Sequence, residues 1–270
     1  QGAPETGLGN ATYLAAIQHL DDSIGRLLET IERSGQLEKT VVVFLADNGG
    51  VDTKFNHREI DGSPFDPSHP LTVQAQEFDS APFRGGKGSM YEGGIRVPCL
   101  VRWPGVIASG SVCDTPIHVV DWLPTLLDAA GIDAAEEDGL SLLPAFRGET
   151  LPERSLYWYL PLYDLRWGAT PCAIIRRGDW KLIEFFGDRF DSNNRYVREE
   201  HVELYELPSD IGETNNLADV HPKQRDRLRN DLRRWLESFG MKLPRSNPHY
   251  DTSRAFEETR EKPPHLLGSR

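Results

Sequence analysis

The chain has 270 residues, 27% of them charged, and a formal net charge of −12. An acidic chain does not bind nucleic acid or an anionic membrane through bulk charge, so any anion it recognises must meet local cationic groups. No apolar run approaches the roughly 20 residues of a membrane helix, and no signal peptide is read at Gln1. Cys99, Cys113 and Cys172 show no metal-type spacing, and their pairing is left open.

Residues 1–10 are rich in glycine and read as loop, and Asn10-Ala11-Thr12 matches a glycosylation sequon. From Thr12 the spacing predicts a helix whose apolar face is Leu14, Ile17, Leu20, Ile24, Leu27, Leu28 and Ile31, closed by Gly35. Val41 to Ala46 is an unbroken apolar run rich in β-branched residues and is expected to form a strand covered on both faces. It stops at Asp47, Asn48, Gly49 and Gly50. A carboxylate beside an amide at the carboxyl end of a strand offers two hard oxygens to a cation such as calcium or magnesium. The same four residues also suit a plain turn.

Residues 51–83 form a long polar connection, the kind of loop that is commonly functional in a compact domain. His57, Arg58 and His69 in it are candidates for contact with a polar substrate; solvated loop residues are the competing reading. Phe83 to Pro98 then runs Phe-Arg-Gly-Gly-Lys-Gly-Ser-Met-Tyr-Glu-Gly-Gly-Ile-Arg-Val-Pro. Lys87 lies between glycines, so its backbone can approach a ligand and its ammonium can reach an anion. This is not a phosphate-cradling loop of the Walker type, because Ala81 and Gly88 stand where glycine and Ser or Thr are required.

Val97 to Trp103 reads as a second core strand, with Cys99 inside it. Asp121 is expected to cap a helix carrying Pro124, Leu126, Leu127 and Ala130 and ended by Gly131, with His118 structural. After Pro152 the runs 156–160, 172–176, 180–186 and 202–207 are short and aromatic-rich, and Gly178-Asp179 separates two of them as a hairpin turn. Pro222 opens a helix with Leu228, Leu232, Trp235, Leu236 and Phe239 on one face, ended by Gly240. The pattern predicts an α/β fold: part of a mixed, mainly parallel sheet flanked by helices, followed by a small antiparallel sheet with a C-terminal helix. Residues 241–270 read as a tail rich in proline and charge.

The turn at Asp47-Asn48-Gly49, followed by the Gly86-Lys87-Gly88-Ser89 to Glu92-Gly93-Gly94-Ile95-Arg96-Val97-Pro98 segment, resembles the sulfatase family of the alkaline-phosphatase-like superfamily. Asp121-Trp122-Leu123-Pro124-Thr125, Arg177 to Leu182 and the stretch from Glu203 to Leu217 resemble later segments of the same family. The resemblance implies that residues 1–150 are the C-terminal part of the catalytic α/β domain, 151–240 a small α+β subdomain and 241–270 a tail. It implies sulfate-ester hydrolysis, with Asp47 and Asn48 as metal ligands and Lys87 as a catalytic and substrate-binding group. His57 is a further candidate at the substrate.

Calcium is the ion the resemblance implies, and magnesium is compatible with the same donors. The family's nucleophile is a formylglycine formed in a Cys/Ser-x-Pro-x-Arg motif, and none of the three cysteines here lies in one. It is therefore expected in an N-terminal half outside this sequence, which would also be the chain's partner. The implied substrate is a sulfated small molecule or glycan, with no nucleic acid and no membrane involved, and the implied location is periplasmic or extracellular. A phosphate or phosphonate monoester hydrolase of the same superfamily and a non-catalytic remnant are the alternatives.

Overall fold

The structure is a computed structural model that describes residues 11–51, 79–132, 138–162, 169–190, 196–198 and 200–245. His57, Arg58 and His69 lie outside the described residues. The chain divides into two compact units, one built from residues 12–47 and 97–156, the other from residues 48–96 with the C-terminal part from Tyr157 and the first residues of the chain.

In the first unit, helix α1 spans Ala11–Arg33. It ends where the periodicity does: the Gly35 amide bonds the Glu32 carbonyl at 2.9 Å and the Gln36 amide that of Ile31 at 3.1 Å, with Gly35 at φ 70°. That left-handed turn costs a glycine little and satisfies the last carbonyls. Strand β1, Val42–Leu45, pairs antiparallel with β2, Cys99–Arg102, placing Val42 opposite Arg102 and Leu45 opposite Cys99.

The sequence predicts both faces of β1 covered, but Val43 and Phe44 are 38% and 36% exposed. Among the described residues β1 has one partner strand, and the apolar face of α1 is itself only part-covered, with Leu27 at 57%. The run is apolar enough for a two-sided position, and this unit supplies only part of the cover.

Asp121 departs from its expected role. It closes a 3-10 turn, Val119–Asp121, and gives the following helix Trp122–Ala129 no side-chain cap. Its carboxylate instead accepts from the amides of His118 (2.7 Å) and Leu140 (3.0 Å) and from both terminal nitrogens of Arg154 (2.5 Å each). Burial opposes its charge, yet these bonds outweigh burial and hold the carboxyl below the usual range. His118 is structural, its Nδ1 accepting from the Val120 amide at 3.3 Å.

The second unit is organised by a four-stranded sheet of order β3-β4-β5-β8. The strands are β3 Ser155–Leu160, β4 Cys172–Arg177, β5 Trp180–Phe185 and β8 His201–Glu206, with β4–β5 and β5–β8 antiparallel. A small hairpin of β6, Asp188–Phe190, and β7, Tyr196–Arg198, lies between β5 and β8 in sequence.

Side chains alternate between the two faces of the sheet. Ala173, Ile175, Leu182 and Leu204 pack beneath the C-terminal helix Pro222–Ser238 through Leu228, Leu232 and Leu236. Cys172, Ile174, Ile183, Phe185 and Tyr205 face the other way and pack on Tyr91, with Met90 and Ile95 beside it. Each of the fully buried Leu and Ile side chains stabilises by about 1.5–3 kcal/mol relative to exposure. Thus the glycine-rich segment forms the second layer over this sheet. Among the described residues no helix is long and apolar enough to cross a membrane.

Candidate active site

Two backbone contacts bring the post-strand turn and the lysine loop together. The Gly49 amide donates to the Gly94 carbonyl at 2.9 Å, and the Lys87 amide donates to the Gly50 carbonyl at 2.8 Å. The approach is too close for side chains. A Cβ on Gly49 would lie 1.8 Å from the Gly93 oxygen, and one on Gly93 would lie 1.9 Å from the Gly85 oxygen. These glycines exist so that three passes of backbone can touch. The structure therefore places Asn48 and Lys87 on neighbouring pieces of one tightly laced segment, with Asp47 directly before Asn48 in the chain.

The oxygen donors suit a hard cation. Asp47 is exposed and Asn48 half-buried. Asn48 turns its amide nitrogen onto the Gly49 carbonyl at 2.9 Å, which leaves its side-chain oxygen as the group a cation would meet. Two such oxygens fall short of the six to eight that calcium takes. Among the described residues no group of three or more His, Cys, Asp or Glu is placed to hold a metal. Asp47 and Asn48 can thus be part of a ligand set, not the whole of one.

Behind the loop stands a set of buried charges that sequence reasoning missed. Arg84 donates to the Tyr205 hydroxyl (3.1 Å) and the Glu213 carbonyl (2.9 Å), and its guanidinium lies 3.8 Å over the Tyr91 ring. The hydroxyls of Tyr91 and Tyr205 both donate to Glu203, at 2.8 and 2.9 Å. Burial opposes ionisation of Glu203, but bonds from His201, Tyr91 and Tyr205 and the charge of Arg84 outweigh it, and its carboxyl stays below the usual range. Tyr91 is pushed up, first by its burial and then by the Glu203 charge.

On the other side of the loop, the Lys181 ammonium sits 3.0 Å from Glu92 and 2.7 Å from Glu213, fully buried. Burial raises the Glu213 carboxyl despite that lysine. The signal for these residues was present in the strand pattern. Lys181 falls in step with Ile183 and Phe185, and Glu203 with Tyr205, on the inward face of the sheet.

A cavity of about 30 Å³, room for one water, lies beneath the loop among Gly88, Ser89, Met90, Tyr91, Thr170, Cys172 and Phe185. Burial pushes the Cys172 thiol up to about 12. It is therefore a neutral core thiol at ordinary pH and no nucleophile.

The family model described as Sulfatase matches residues 10–132, and the model described as N-sulphoglucosamine sulphohydrolase, C-terminal, matches residues 85–242. A sulfatase of Formosa agariphila is 32% identical over 251 residues, which cover 84% of this chain and 39% of that protein. The N-acetylglucosamine-6-O-sulfatase of Bacteroides thetaiotaomicron is 28% identical over 222 residues, 79% of this chain and 33% of that protein. A protein solved in complex with its substrate D-glucosamine-2-N,6-O-disulfate superposes with TM-score 0.58 at 26% identity, over 84% of this chain and 40% of that one. A sulfatase structure from Pseudoalteromonas superposes with TM-score 0.58 at 22% identity, over 86% of this chain and 43% of that one, and shows the shared fold. The chain spans less than half the length of each of these relatives. The two family models between them run from residue 10 to residue 242, across both the laced loop and the sheet that backs it, and on this ground the chain belongs to the sulfatase family.

Proposed function

We propose that this chain carries part of the active site of a sulfuric-ester hydrolase acting on a sulfated sugar. The observation that supports it is the lacing of the Asn48–Gly50 turn to the Lys87 loop through the Gly49–Gly94 and Lys87–Gly50 backbone bonds. In this reading Asp47 and Asn48 contribute two ligands to a divalent ion, calcium by family resemblance with magnesium compatible. The other ligands, and the formylglycine nucleophile, come from an N-terminal half outside this sequence. When bound, the ion supplies Lewis-acid polarisation of the sulfate oxygens.

Lys87 does the chain's own chemistry. As the ester S–O bond breaks, negative charge grows on the sulfate oxygens and on the departing alkoxide. A preorganised ammonium stabilises that charge more than it stabilises the bound ester, and so lowers the barrier. The sulfated-sugar assignment follows the relatives' named activities. Two proteins similar to this chain are described by an N-acetylglucosamine-6-O-sulfate activity and by a disulfated glucosamine substrate.

The test is product release by the whole protein from N-acetylglucosamine 6-sulfate and from the matching 6-phosphate. Sulfate release at a kcat/KM well above that for phosphate is expected. Preference for the phosphate would assign the protein to the phosphomonoesterase branch of the superfamily. No release from sulfate esters by metal-loaded protein would make it a non-catalytic relative.

A further inference from the structure

Lysine is almost never fully buried without partners. Lys181 is 0% exposed, and its two carboxylate partners, Glu92 and Glu213, are 1% and 0% exposed. A buried ion cluster of this kind is weak evidence of stabilisation, since apolar residues of similar volume often serve as well. Something else must account for three charged groups in the layer between the sheet and the glycine-rich segment.

Their geometry indicates what. Glu92 is gripped at two points: its side chain by Lys181 at 3.0 Å and its backbone amide by the Glu213 carboxylate at 2.6 Å. Glu213, the one described non-glycine residue with positive φ (51°), takes strained backbone to present that carboxylate. Glu92 starts the one-turn helix Glu92–Ile95. From that turn the Gly93 amide bonds the Arg84 carbonyl at 2.9 Å, at the root of the lysine loop. The Gly94 carbonyl accepts from Gly49 at 2.9 Å, and the loop returns to Gly50 through the Lys87 amide at 2.8 Å. A bonded path therefore runs from β5 through Glu92 to both sides of Lys87. The glycine contacts along it leave no slack, because a Cβ on Gly94 would stand 2.1 Å from the Ser89 carbonyl oxygen.

We propose that Glu92, Lys181 and Glu213 are positioning residues that fix the Lys87 loop against the Asn48–Gly50 turn, so that the C-terminal sheet sets the geometry of the sulfate-binding lysine. This rests on the role given to Lys87 above. None of the three touches substrate. Their effect on rate comes through Lys87, and a misplacement of about 1 Å in such a group can cost on the order of 100-fold.

The test compares Glu213→Gln, Lys181→Met and the double variant Glu213→Gln/Lys181→Met, in which the glutamine oxygen at position 213 can still accept from the Glu92 amide. The double variant removes one charge of each sign and keeps the net charge of the cluster. It is expected to recover most of the stability that Lys181→Met loses while kcat of the whole protein stays lowered by about 10–100-fold, with KM changed far less. In the 270-residue chain, amide exchange at Lys87 and Gly49 is expected to quicken by about tenfold while the β4 and β5 amides keep their protection. Recovery of kcat together with stability, or unchanged exchange at Lys87, overturns the proposal. Lys87→Ala separates this from the function itself. If that variant keeps wild-type kcat, the role of Lys87 is wrong, and the exchange measurement still decides whether the cluster holds the loop.

Discussion

Replacing Lys181 by methionine probes the buried cluster most directly. Methionine keeps an unbranched apolar stem of similar reach, so packing changes little and the perturbation is mainly the lost charge. The ammonium serves two carboxylates at 3.0 and 2.7 Å, both buried. Removing one partner of a buried pair costs about 3–5 kcal/mol. Glu92 retains Arg96 and Arg176, at 3.7 and 3.8 Å, as partial compensation. Glu213 keeps only the more distant charge of Arg176 and bears most of the loss. The expected destabilisation is therefore near the middle of that range, about 4 kcal/mol at about pH 7.

Its pH dependence has a definite sign. Burial already places the Glu213 carboxyl above its ordinary value, and loss of Lys181 removes the charge that restrains it. A carboxyl raised in the folded state contributes stability that is present below its unfolded pKa and is lost as pH rises through the folded one. The deficit of the variant must then shrink towards about pH 4.5 as Glu213 takes a proton. Urea unfolding of wild type and variant, followed by far-ultraviolet circular dichroism at both pH values, measures this. A deficit under about 1 kcal/mol at neutral pH, or one that grows on acidification, would refute the electrostatic reading of the cluster.

Two further outcomes concern the site itself. Lys87→Ala in the whole protein should lower kcat by on the order of 10²–10³ rather than merely raise KM, and Lys87→Arg should rescue only in part, because a planar fork does not replace a compact ammonium. Steady-state kinetics with a sulfated sugar decides it, and a wild-type kcat in Lys87→Ala removes the lysine from the chemistry. On the proposed ligand role of Asp47, Asp47→Ala should release the divalent ion, since it deletes a charged oxygen. Full metal occupancy in the purified variant, by elemental analysis, rules Asp47 out as a ligand.

How much of this was legible in the sequence depends on the range of the forces involved. Helix α1, the hairpin at Gly178-Asp179 and the C-terminal helix follow from local periodicity and turn chemistry, and they stand where the pattern puts them. Asp121 reads as a helix cap from the sequence because two of its partners, Leu140 and Arg154, are 19 and 33 residues away. The exposure of Val43 and Phe44 is hidden from the sequence for a related reason: composition reports what a strand can bury, not what is present to cover it. The motif residues Asp47, Asn48 and Lys87 are visible as types of chemistry, but nothing local says that Glu92 of the same segment pairs with Lys181, 89 residues later. The warning lay in the alternation of β5, Trp-Lys-Leu-Ile-Glu-Phe, where a lysine occupies an inward position beside Ile183 and Phe185. A charge at a core position of a strand demands an opposite charge from elsewhere in the fold. In this chain Glu92, two residues before the turn's last glycine, answers that demand, which is why a residue of the loop motif is buried against the C-terminal sheet.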